Sequence, residues 1–311
     1  MNNSPWVEKY RPTNFDDIVL EPLNRQLLTN IIKTNNFPNL LFYGPPGTGK
    51  TTTIINLINS YQEKNNQKRK GLMIHLNASD DRGIDIIRNQ IKSFVDTKTL
   101  FGKGIKFVIL DEVDYMTKNA QQALRYLIQQ YITDIRFCLI CNYISRIDLS
   151  LQNEFVRLRF CQLPKKDISY FLRDIVEKEN IKITNNQLIS IQNYFKSDIR
   201  SMINYLQSNH NNNTIHINVI KDNFWEKLLK KIGTTSSDKI KVYIINKCLK
   251  YNIQPRQFII KFFIYLINNK KDILKQEWLD HMEFLLHNSK VNEDYIINYT
   301  ILFIHDFNKE L

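Results

Sequence analysis

The sequence predicts an α/β protein: its first half forms a doubly wound, five-stranded parallel sheet, and its second half is entirely helical. Two observations support this fold class. Over the first 161 residues, short and mostly apolar runs alternate with segments of helical periodicity, as expected for buried parallel strands joined by helices. Beyond residue 163 no strand pattern remains, and apolar residues such as Ile168, Leu172 and Ile175 recur at spacings of three and four.

The predicted elements can be placed along the chain. Strands are expected at residues 39–43, 72–77, 106–110, 136–141 and 155–160, and helices at residues 24–34, 51–61, 84–94 and 119–130. A doubly wound sheet binds its ligand at the carboxyl ends of its strands. Farther along, the Asn-rich stretch 208–214 predicts a loop and a boundary between two helical units.

Composition limits the classes of partner and compartment. The chain has 311 residues and a formal net charge of +12, and both halves are basic. This charge favours an extended polyanion such as DNA or RNA, with a merely soluble basic surface as the alternative. Cys138 and Cys141 would point to opposite faces of one strand, so a shared metal ion or disulfide is not expected. No signal-like start or membrane-spanning run is found, which predicts an intracellular, reducing compartment.

A glycine-rich segment, Gly44-Pro-Pro-Gly-Thr-Gly-Lys50-Thr51, lies between a predicted strand and a predicted helix. Such glycines let the backbone wrap around phosphate, and N–H groups at the helix start supply positive potential. Lys50 is expected to reach the β- and γ-phosphates of a nucleoside triphosphate, and Thr51 to hold Mg²⁺. An ordinary Gly/Pro turn is the alternative. The residues assigned to nucleotide here are Gly44, Pro45, Pro46, Gly47, Thr48, Gly49, Lys50, Thr51 and Thr52.

Further polar residues follow the later predicted strands. Asp111 ends an apolar strand and is a candidate Mg²⁺ ligand, and Glu112 beside it is placed to activate the attacking water as a general base. A charged turn that opens a helix is the alternative. Asn142 ends the next strand and could hold the γ-phosphate or the water. Arg200, which follows a helix cap at Ser197 or Asp198, could close over the triphosphate, with a solvated arginine as the alternative.

Six segments together resemble one family, the small subunits of replication factor C, which are AAA+ clamp-loader proteins. They are Pro5-Trp-Val-Glu-Lys-Tyr-Arg-Pro12, the glycine-rich segment, Asn77-Ala-Ser-Asp-Asp-Arg-Gly-Ile-Asp85, Leu110-Asp-Glu-Val-Asp114, Ala120-Gln-Gln-Ala-Leu-Arg125 and Cys141-Asn-Tyr-Ile-Ser-Arg146. The resemblance covers residues 4 to about 207. Beyond that point the helical remainder fits the family by length only.

The resemblance implies an AAA+ core with a five-stranded parallel sheet, a small helical lid and a helical collar, which we place at residues 1–161, 162–211 and 212–311. It implies that Val7, Tyr10, Arg11 and Pro12 line an adenine pocket, that Asn142 and Arg200 act as the two nucleotide sensors, and that ATP and Mg²⁺ are the cofactors. It also implies a hetero-pentamer of clamp-loader subunits that opens a sliding clamp and loads it on primer–template DNA. The expected location is the nucleus, or alternatively the cytoplasmic replication compartment of a large DNA virus.

The family donates an arginine to its neighbour's ATP from a Ser-Arg-Cys segment. Here the equivalent stretch is Asn153-Glu154-Phe155, so Glu154 stands where that arginine would be. A carboxylate cannot stabilise negative charge on a γ-phosphate, and such an arginine is worth about 10³–10⁵ in rate. The expected function is therefore an ATP-hydrolysing subunit with its own site intact. The alternative is an ATP-binding scaffold with little hydrolysis and no donated arginine.

Two further surfaces are predicted. Arg88 and Lys92 lie four apart on the polar face of the helix expected at 84–94, and Arg82 precedes it, which suggests contacts to DNA phosphates; a solvated charged face is the alternative. Arg146 resembles a basic family position near DNA. In the loop Thr97–Gly104, Leu100 and Phe101 are expected to plug a pocket on the clamp, or else to close the local core.

Overall fold

The computed structural model describes residues 4–66, 71–79, 84–96, 104–131, 135–210, 220, 222–251, 253–270, 276–288 and 292–308, without the side chains of some helix-end residues, among them 84–88. The chain separates into two compact units, Met1–Ile215 and His216–Leu311. Each unit has its own core. Arg82, Leu100 and Phe101 lie outside the described residues.

The first unit contains one parallel sheet of five strands. They are β1 Leu40–Tyr43, β2 Met73–Asn77, β3 Lys106–Asp111, β4 Ile135–Cys141 and β5 Val156–Arg159. Their order across the sheet is β2-β3-β4-β1-β5, and all four neighbouring pairs are parallel. The predicted α/β class and all five strands are confirmed. This order places the carboxyl ends of β3 and β4 beside the loop that leaves β1.

Some helices of the first unit pack against this sheet, and three others follow its last strand in the chain. They are α1 Trp6–Lys9, α2 Pro22–Thr34, α3 Lys50–Lys64, α4 Ile84–Asp96, α5 Lys118–Gln130, α6 Leu149–Gln152, α7 Lys165–Lys178, α8 Asn185–Phe195 and α9 Ile199–Ser208. Two single 3₁₀ turns follow strands: the β3 turn, Val113–Tyr115, and the β4 turn, Ile144–Arg146. We refer to α7–α9 as the lid helices.

Both faces of the sheet are buried, which explains the apolar runs in its strands. One face packs under α2 and α3 and includes Phe42, Phe107 and Cys138. The other packs under α4 and α5 and includes Leu41, Val108, Phe137 and Cys141. Cys138 and Cys141 therefore lie on opposite faces, as the spacing predicted, and both are free thiols.

The second unit consists of helices in its described part. They are α10 Asp222–Thr234, α11 Ser237–Tyr251, α12 Pro255–Asn269, α13 Gln276–His287 and α14 Glu293–Asn308. Their shared core is rich in aromatic rings, among them Trp225, Phe258, Phe262 and Trp278. Across both units, no helix among the described residues has the length and apolar composition needed to cross a membrane.

A histidine lies inside the core of the second unit. His281 is 4% exposed, its ring stacks on Phe303 at 4.5 Å, and its Nε2 lies 3.2 Å from the Thr300 hydroxyl. Burial lowers the pKa of His281 to about 4 because the charged imidazolium loses its hydration. The native unit therefore holds this side chain neutral at physiological pH.

This burial predicts an acid-sensitive second unit. In the unfolded chain His281 titrates near its ordinary pKa of about 6.5, so the unfolded state binds the proton more tightly. The free energy of unfolding should be fully retained above pH 6.5 and should fall by about 3 kcal/mol as the pH drops through the native pKa. His281→Phe should remove this part of the pH dependence, measured by urea unfolding at a series of pH values.

The exposed His287, at the end of the same helix, provides the matched control. His287→Gln should leave the pH dependence as it is in the wild type. An equal loss of pH dependence in both variants, or in neither, would contradict the assignment to His281.

Candidate nucleotide-binding site

The loop between β1 and α3 is shaped by its glycines. Gly44, Gly47 and Gly49 have φ values of 144°, 74° and 85°, in the region that L side chains rarely adopt. A Cβ on Gly44 would lie 1.8 Å from the backbone oxygen of Phe160, and one on Gly47 would lie 1.8 Å from Oδ1 of Asp198. Helix α3 begins at Lys50 directly after this loop, so its free N–H groups provide an anion-binding helix start.

Lys50 is held at the centre of this loop. Its side chain is 6% exposed, and its Nζ donates to the carbonyl oxygens of Gly44 and Pro45 at 2.8 Å each and to Oδ1 of Asn142 at 3.0 Å. An ammonium group has three donors, so all of them are satisfied. Burial lowers the pKa of Lys50, while nearby Asp111 acts in the opposite direction. The predicted phosphate-binding lysine and the predicted strand-end asparagine are thus in direct contact.

Thr51 and Asp111 meet at the same point. The Thr51 hydroxyl donates to Oδ2 of Asp111 at 2.7 Å, where β3 ends. Burial by itself would raise the pKa of Asp111, but the imidazole of His75, the Thr51 hydroxyl and the backbone N–H of Glu112 outweigh it and lower that pKa. The Nε2 atom of His75 lies 3.8 Å from Oδ2 of Asp111. Hard oxygen donors of this kind are those that Mg²⁺ prefers, so the residues present fit the ion.

Glu112 adopts an uncommon backbone conformation. Its φ and ψ are 57° and 38°, in the left-handed region, and its N–H donates to Oδ1 of Asp111 at 2.9 Å. Non-glycine residues held there cost free energy and are concentrated at functional sites. The side chain lines the same cavity as Lys50 and Thr51.

The lid helices complete the site from the other side. Asp198 caps α9 by accepting from the backbone N–H of Ser201 at 3.0 Å, which decides between the two predicted caps. The N–H of Ile199 donates to the carbonyl of Gly47 at 3.1 Å, so α9 begins on the glycine-rich loop itself. Arg200 follows and lines the cavity.

The cavity continues from the phosphate loop to the N-terminal segment. It has a volume of about 210 Å³, and Val7, Tyr10, Arg11 and Pro12, the residues expected to enclose adenine, are among those that line it. The Arg11 Nε donates to the hydroxyl of Thr52 at 3.1 Å, which ties this segment to α3. Five apolar residues that sequence reasoning missed also line the cavity; they are Ile18, Val19, Phe171, Ile199 and Ile203. They come from three separate segments of the chain, so no single local spacing could have indicated the set.

The N-terminal segment is also attached to the lid helices. The Tyr10 hydroxyl donates to Glu179 Oε1 at 2.5 Å, and Lys9 pairs with the same oxygen at 2.5 Å. These two contacts lower the pKa of Glu179. The backbone N–H of Trp6 donates to Gln207 Oε1 at 2.9 Å. Tyr10, one of the predicted adenine-side residues, is thus held by the C-cap of α7, and the nearby Trp6 is held by α9.

Asp114 is a buried carboxylate that sequence reasoning did not assign. It is 5% exposed, and its Oδ2 accepts from the backbone N–H groups of Asn142 at 3.3 Å and Tyr143 at 3.2 Å. Its other oxygen, Oδ1, is buried with no hydrogen-bond donor among the described residues. Asp114 therefore fixes the point at which β4 ends, and with it the Asn142 amide that contacts Lys50.

The predicted DNA and clamp residues fall only partly within the described chain. Lys92 is exposed on α4, while Ile91 on the same helix is fully buried, as the predicted amphipathic pattern requires. Arg88 lies on α4, but its side chain is outside the described residues, as are Arg82, Leu100 and Phe101 entirely. Arg146 is exposed at the end of the β4 turn.

Glu154 is paired within its own subunit. Its Oε1 accepts from Arg125 Nε at 3.2 Å and from Gln129 Nε2 at 2.7 Å, both on α5. The position where a donated arginine was expected thus carries a carboxylate whose charge is balanced by Arg125.

The first part of the chain is similar to known ATPases. A family model described as "ATPase family associated with various cellular activities (AAA)" matches residues 40–163. The probable replication factor C subunit 5 of Dictyostelium discoideum is 41% identical over 229 residues, which cover 73% of this chain and 63% of that protein. Replication factor C subunit 3 of Schizosaccharomyces pombe is 42% identical over 206 residues, which cover 66% of this chain and 59% of that protein.

A human relative and a solved structure agree with these matches. Replication factor C subunit 5 of Homo sapiens is 43% identical over 209 residues, which cover 67% of this chain and 61% of that protein. A single-residue variant of Thermotoga maritima RuvB superposes with a TM-score of 0.53 at 15% identity, over 83% of this chain and 91% of that one. At this identity the RuvB match shows the fold alone.

The chain therefore contains an AAA ATPase domain and is similar to small subunits of replication factor C, which confirms the resemblance found in the sequence. The chain spans about six tenths of the length of the curated relatives it matches.

The contacts of Asp114 generate a prediction about positioning. Asp114→Ala should leave two buried N–H groups without an acceptor and allow Asn142 to move, which we expect to lower kcat for ATP hydrolysis by about tenfold or more. Asp114→Asn keeps an acceptor oxygen at the same place and should retain most of the activity. Steady-state kcat and KM are measured for both, together with the melting temperature.

The decisive result is the difference in kcat between Asp114→Ala and Asp114→Asn. If Asp114→Ala lost stability while kcat stayed at the wild-type value, Asp114 would be a structural residue without influence on Asn142.

Proposed function

We propose that this protein is an ATP-hydrolysing subunit of a hetero-pentameric clamp loader, which opens a sliding clamp and loads it on primer–template DNA. The observation that carries the proposal is the convergence of Lys50, Thr51, Asp111, Glu112 and Arg200 on one cavity, with Asn142 bonded to Lys50. Similarity to small subunits of replication factor C supports the partners: other subunits of the same kind, the clamp and DNA.

Each residue of the cavity has a role that its position supports. The α3 N–H groups and Lys50 hold the β- and γ-phosphates, and Thr51 and Asp111 hold Mg²⁺, which neutralises charge on the phosphates when bound. Glu112 orients and deprotonates the attacking water. Asn142 holds the water or the γ-phosphate, and Arg200 joins from the lid helices. Val7, Tyr10, Arg11 and Pro12 enclose the adenine.

ATP must displace existing hydrogen bonds at this site. Lys50 already donates to three acceptors, so phosphate oxygens replace at least one of them when nucleotide binds. Arg200 and Ile199, whose N–H contacts Gly47, both lie at the start of α9. Nucleotide binding in the cavity therefore affects the lid helices directly. This link supports the conversion of ATP binding into movement between subunits.

The alternative function is an ATP-binding scaffold that turns over little ATP. The pairing of Glu154 with Arg125 supports one part of it: this subunit supplies no arginine from that position to a neighbour. The presence of Glu112 in the cavity supports hydrolysis in the subunit's own site instead. The eukaryotic relatives support a nuclear location rather than the cytoplasmic replication compartment of a virus.

Two substitutions separate binding from hydrolysis. Lys50→Ala should lower ATP affinity, because Lys50 contacts phosphate in the ground state, whereas Glu112→Gln should keep ATP bound and lower kcat, on the order of 100-fold. Nucleotide affinity is measured with a fluorescent ATP analogue, and hydrolysis in the complex assembled with its partner subunits. Unchanged hydrolysis in Glu112→Gln would exclude Glu112 as the base, whereas little hydrolysis by the wild type in the same complex would favour the scaffold function.

The predicted clamp contact has its own test. The double change Leu100→Ser/Phe101→Ser should abolish binding to the sliding clamp, with little change in melting temperature, if these residues are interface anchors. Clamp binding is measured by surface plasmon resonance and stability by calorimetry. Loss of several kcal/mol of stability, as expected for a buried Phe, would assign them to the local core instead.

A further inference from the structure

An exposed cluster of two tyrosines and one arginine lies at the carboxyl ends of β3 and β4. We call Tyr115, Tyr143 and Arg146 the Tyr–Arg cluster. The guanidinium carbon of Arg146 lies 5.0 Å from the centre of the Tyr143 ring and 6.0 Å from that of Tyr115. The two rings are 58% and 59% exposed. No residue of the nucleotide cavity belongs to the cluster, so the proposed ATP chemistry does not account for it.

The backbone that carries the Tyr–Arg cluster is fixed by buried side chains. Gln121, 1% exposed on α5, donates to the carbonyls of Met116 at 3.2 Å and Arg146 at 3.1 Å, and so joins the β3 turn to the β4 turn. Gln152, also buried, donates to the carbonyls of Ile144 at 3.2 Å and Ile147 at 2.8 Å. These bonds hold the two turns in place while the aromatic faces stay in solvent.

Arg146 is not neutralised by its surroundings. In the described part of the chain its guanidinium forms no ion pair. The nearest acidic residue in sequence, Asp148, has an exposed side chain that forms no ion pair with Arg146. The positive charge therefore remains available to an anionic ligand. A chain with a net charge of +12 attracts polyanions in general.

The chemistry of the cluster selects the kind of polyanion. A planar base stacks on tyrosine rings and on guanidinium planes, and the neighbouring phosphate satisfies a cation. In a duplex both faces of each base are covered by neighbouring bases, so only an unpaired nucleotide presents a free face. A protein ligand does not offer a flat ring next to a phosphate in this repeated way, so a nucleic acid fits the cluster better than a protein does.

We propose that the Tyr–Arg cluster is a stacking site for an unpaired base of single-stranded DNA. The proposal rests on the DNA-binding part of the proposed function and adds the form of DNA that is recognised. One base stacks on Tyr143 or Tyr115, and Arg146 contacts the adjoining phosphate. Sequence preference is not expected, because every base has a π-face.

The test uses the full chain and a fluorescently labelled oligo(dA), with binding followed by anisotropy over a range of salt concentrations. Tyr143→Ala should weaken binding about tenfold with no change in the salt dependence, because stacking releases no counterions. Tyr143→Phe should bind as the wild type does. Arg146→Ala should weaken binding and also lower the slope of log K against log salt by about one.

Two matched controls isolate the base. Tyr126 is 64% exposed on α5, and no cation of the described chain lies over its ring, so Tyr126→Ala should not change binding. An oligonucleotide with abasic sites should bind the wild type and Tyr143→Ala equally, since it offers phosphates but no bases.

The results distinguish this site from the wider function. Unchanged oligo(dA) affinity in Tyr143→Ala, an equal loss on the abasic strand, or no binding by the wild type would overturn the stacking site. So would a Tyr143→Ala protein that binds DNA normally but no longer co-purifies with partner subunits, which would assign the cluster to a subunit interface. Binding of the fluorescent ATP analogue by the same proteins tests the nucleotide function separately, and its loss in the wild type would contradict that function alone.

Discussion

The absence of side chains at Gly44 and Gly47 is the constraint on which the rest of the site depends. At Gly44 the loop backbone lies against the backbone of Phe160, just after β5, and at Gly47 it lies against the carboxylate of Asp198 at the start of α9. A single methyl group at either point would overlap atoms that cannot withdraw, since one is backbone and the other caps a helix. The glycines that let phosphate approach therefore also allow the sheet and the lid helices to meet at one loop.

The buried charged groups of the site are held by hydrogen bonds within the protein. Lys50 is buried, which lowers its pKa, but three acceptors compensate its ammonium group. Asp111 is buried as well, and the imidazole of His75, the Thr51 hydroxyl and the backbone N–H of Glu112 keep its pKa low in spite of burial. A buried charge without partners would cost several kcal/mol. These internal hydrogen bonds therefore lower the free-energy cost of burying the site's charged groups.

The sequence predicted the fold and the phosphate side of the site because both depend on local signals. Buried parallel strands require contiguous apolar runs, so β1 to β5 lie within two residues of their expected bounds. Lys50 and Thr51 belong to one contiguous motif. Asp114, Glu179 and Phe171 could not be predicted, since each acts through a partner 28 or more residues away or by lining a cavity built from separate segments. The roles of the clamp residues Leu100 and Phe101 stay predictions.

The two ends of α5 show how one element serves different surfaces. Near its start, Gln121 fixes the β3 and β4 turns, and so the Asn142 side of the nucleotide site and the Tyr–Arg cluster share one buried support. Near its end, Arg125 and Gln129 hold Glu154. This carboxylate is already paired with a cation of its own chain, and a negative group could not stabilise charge on a neighbour's γ-phosphate. The chain therefore brings its predicted nucleotide-binding residues together in one cavity, while the position where a donated arginine was expected carries a carboxylate paired with Arg125.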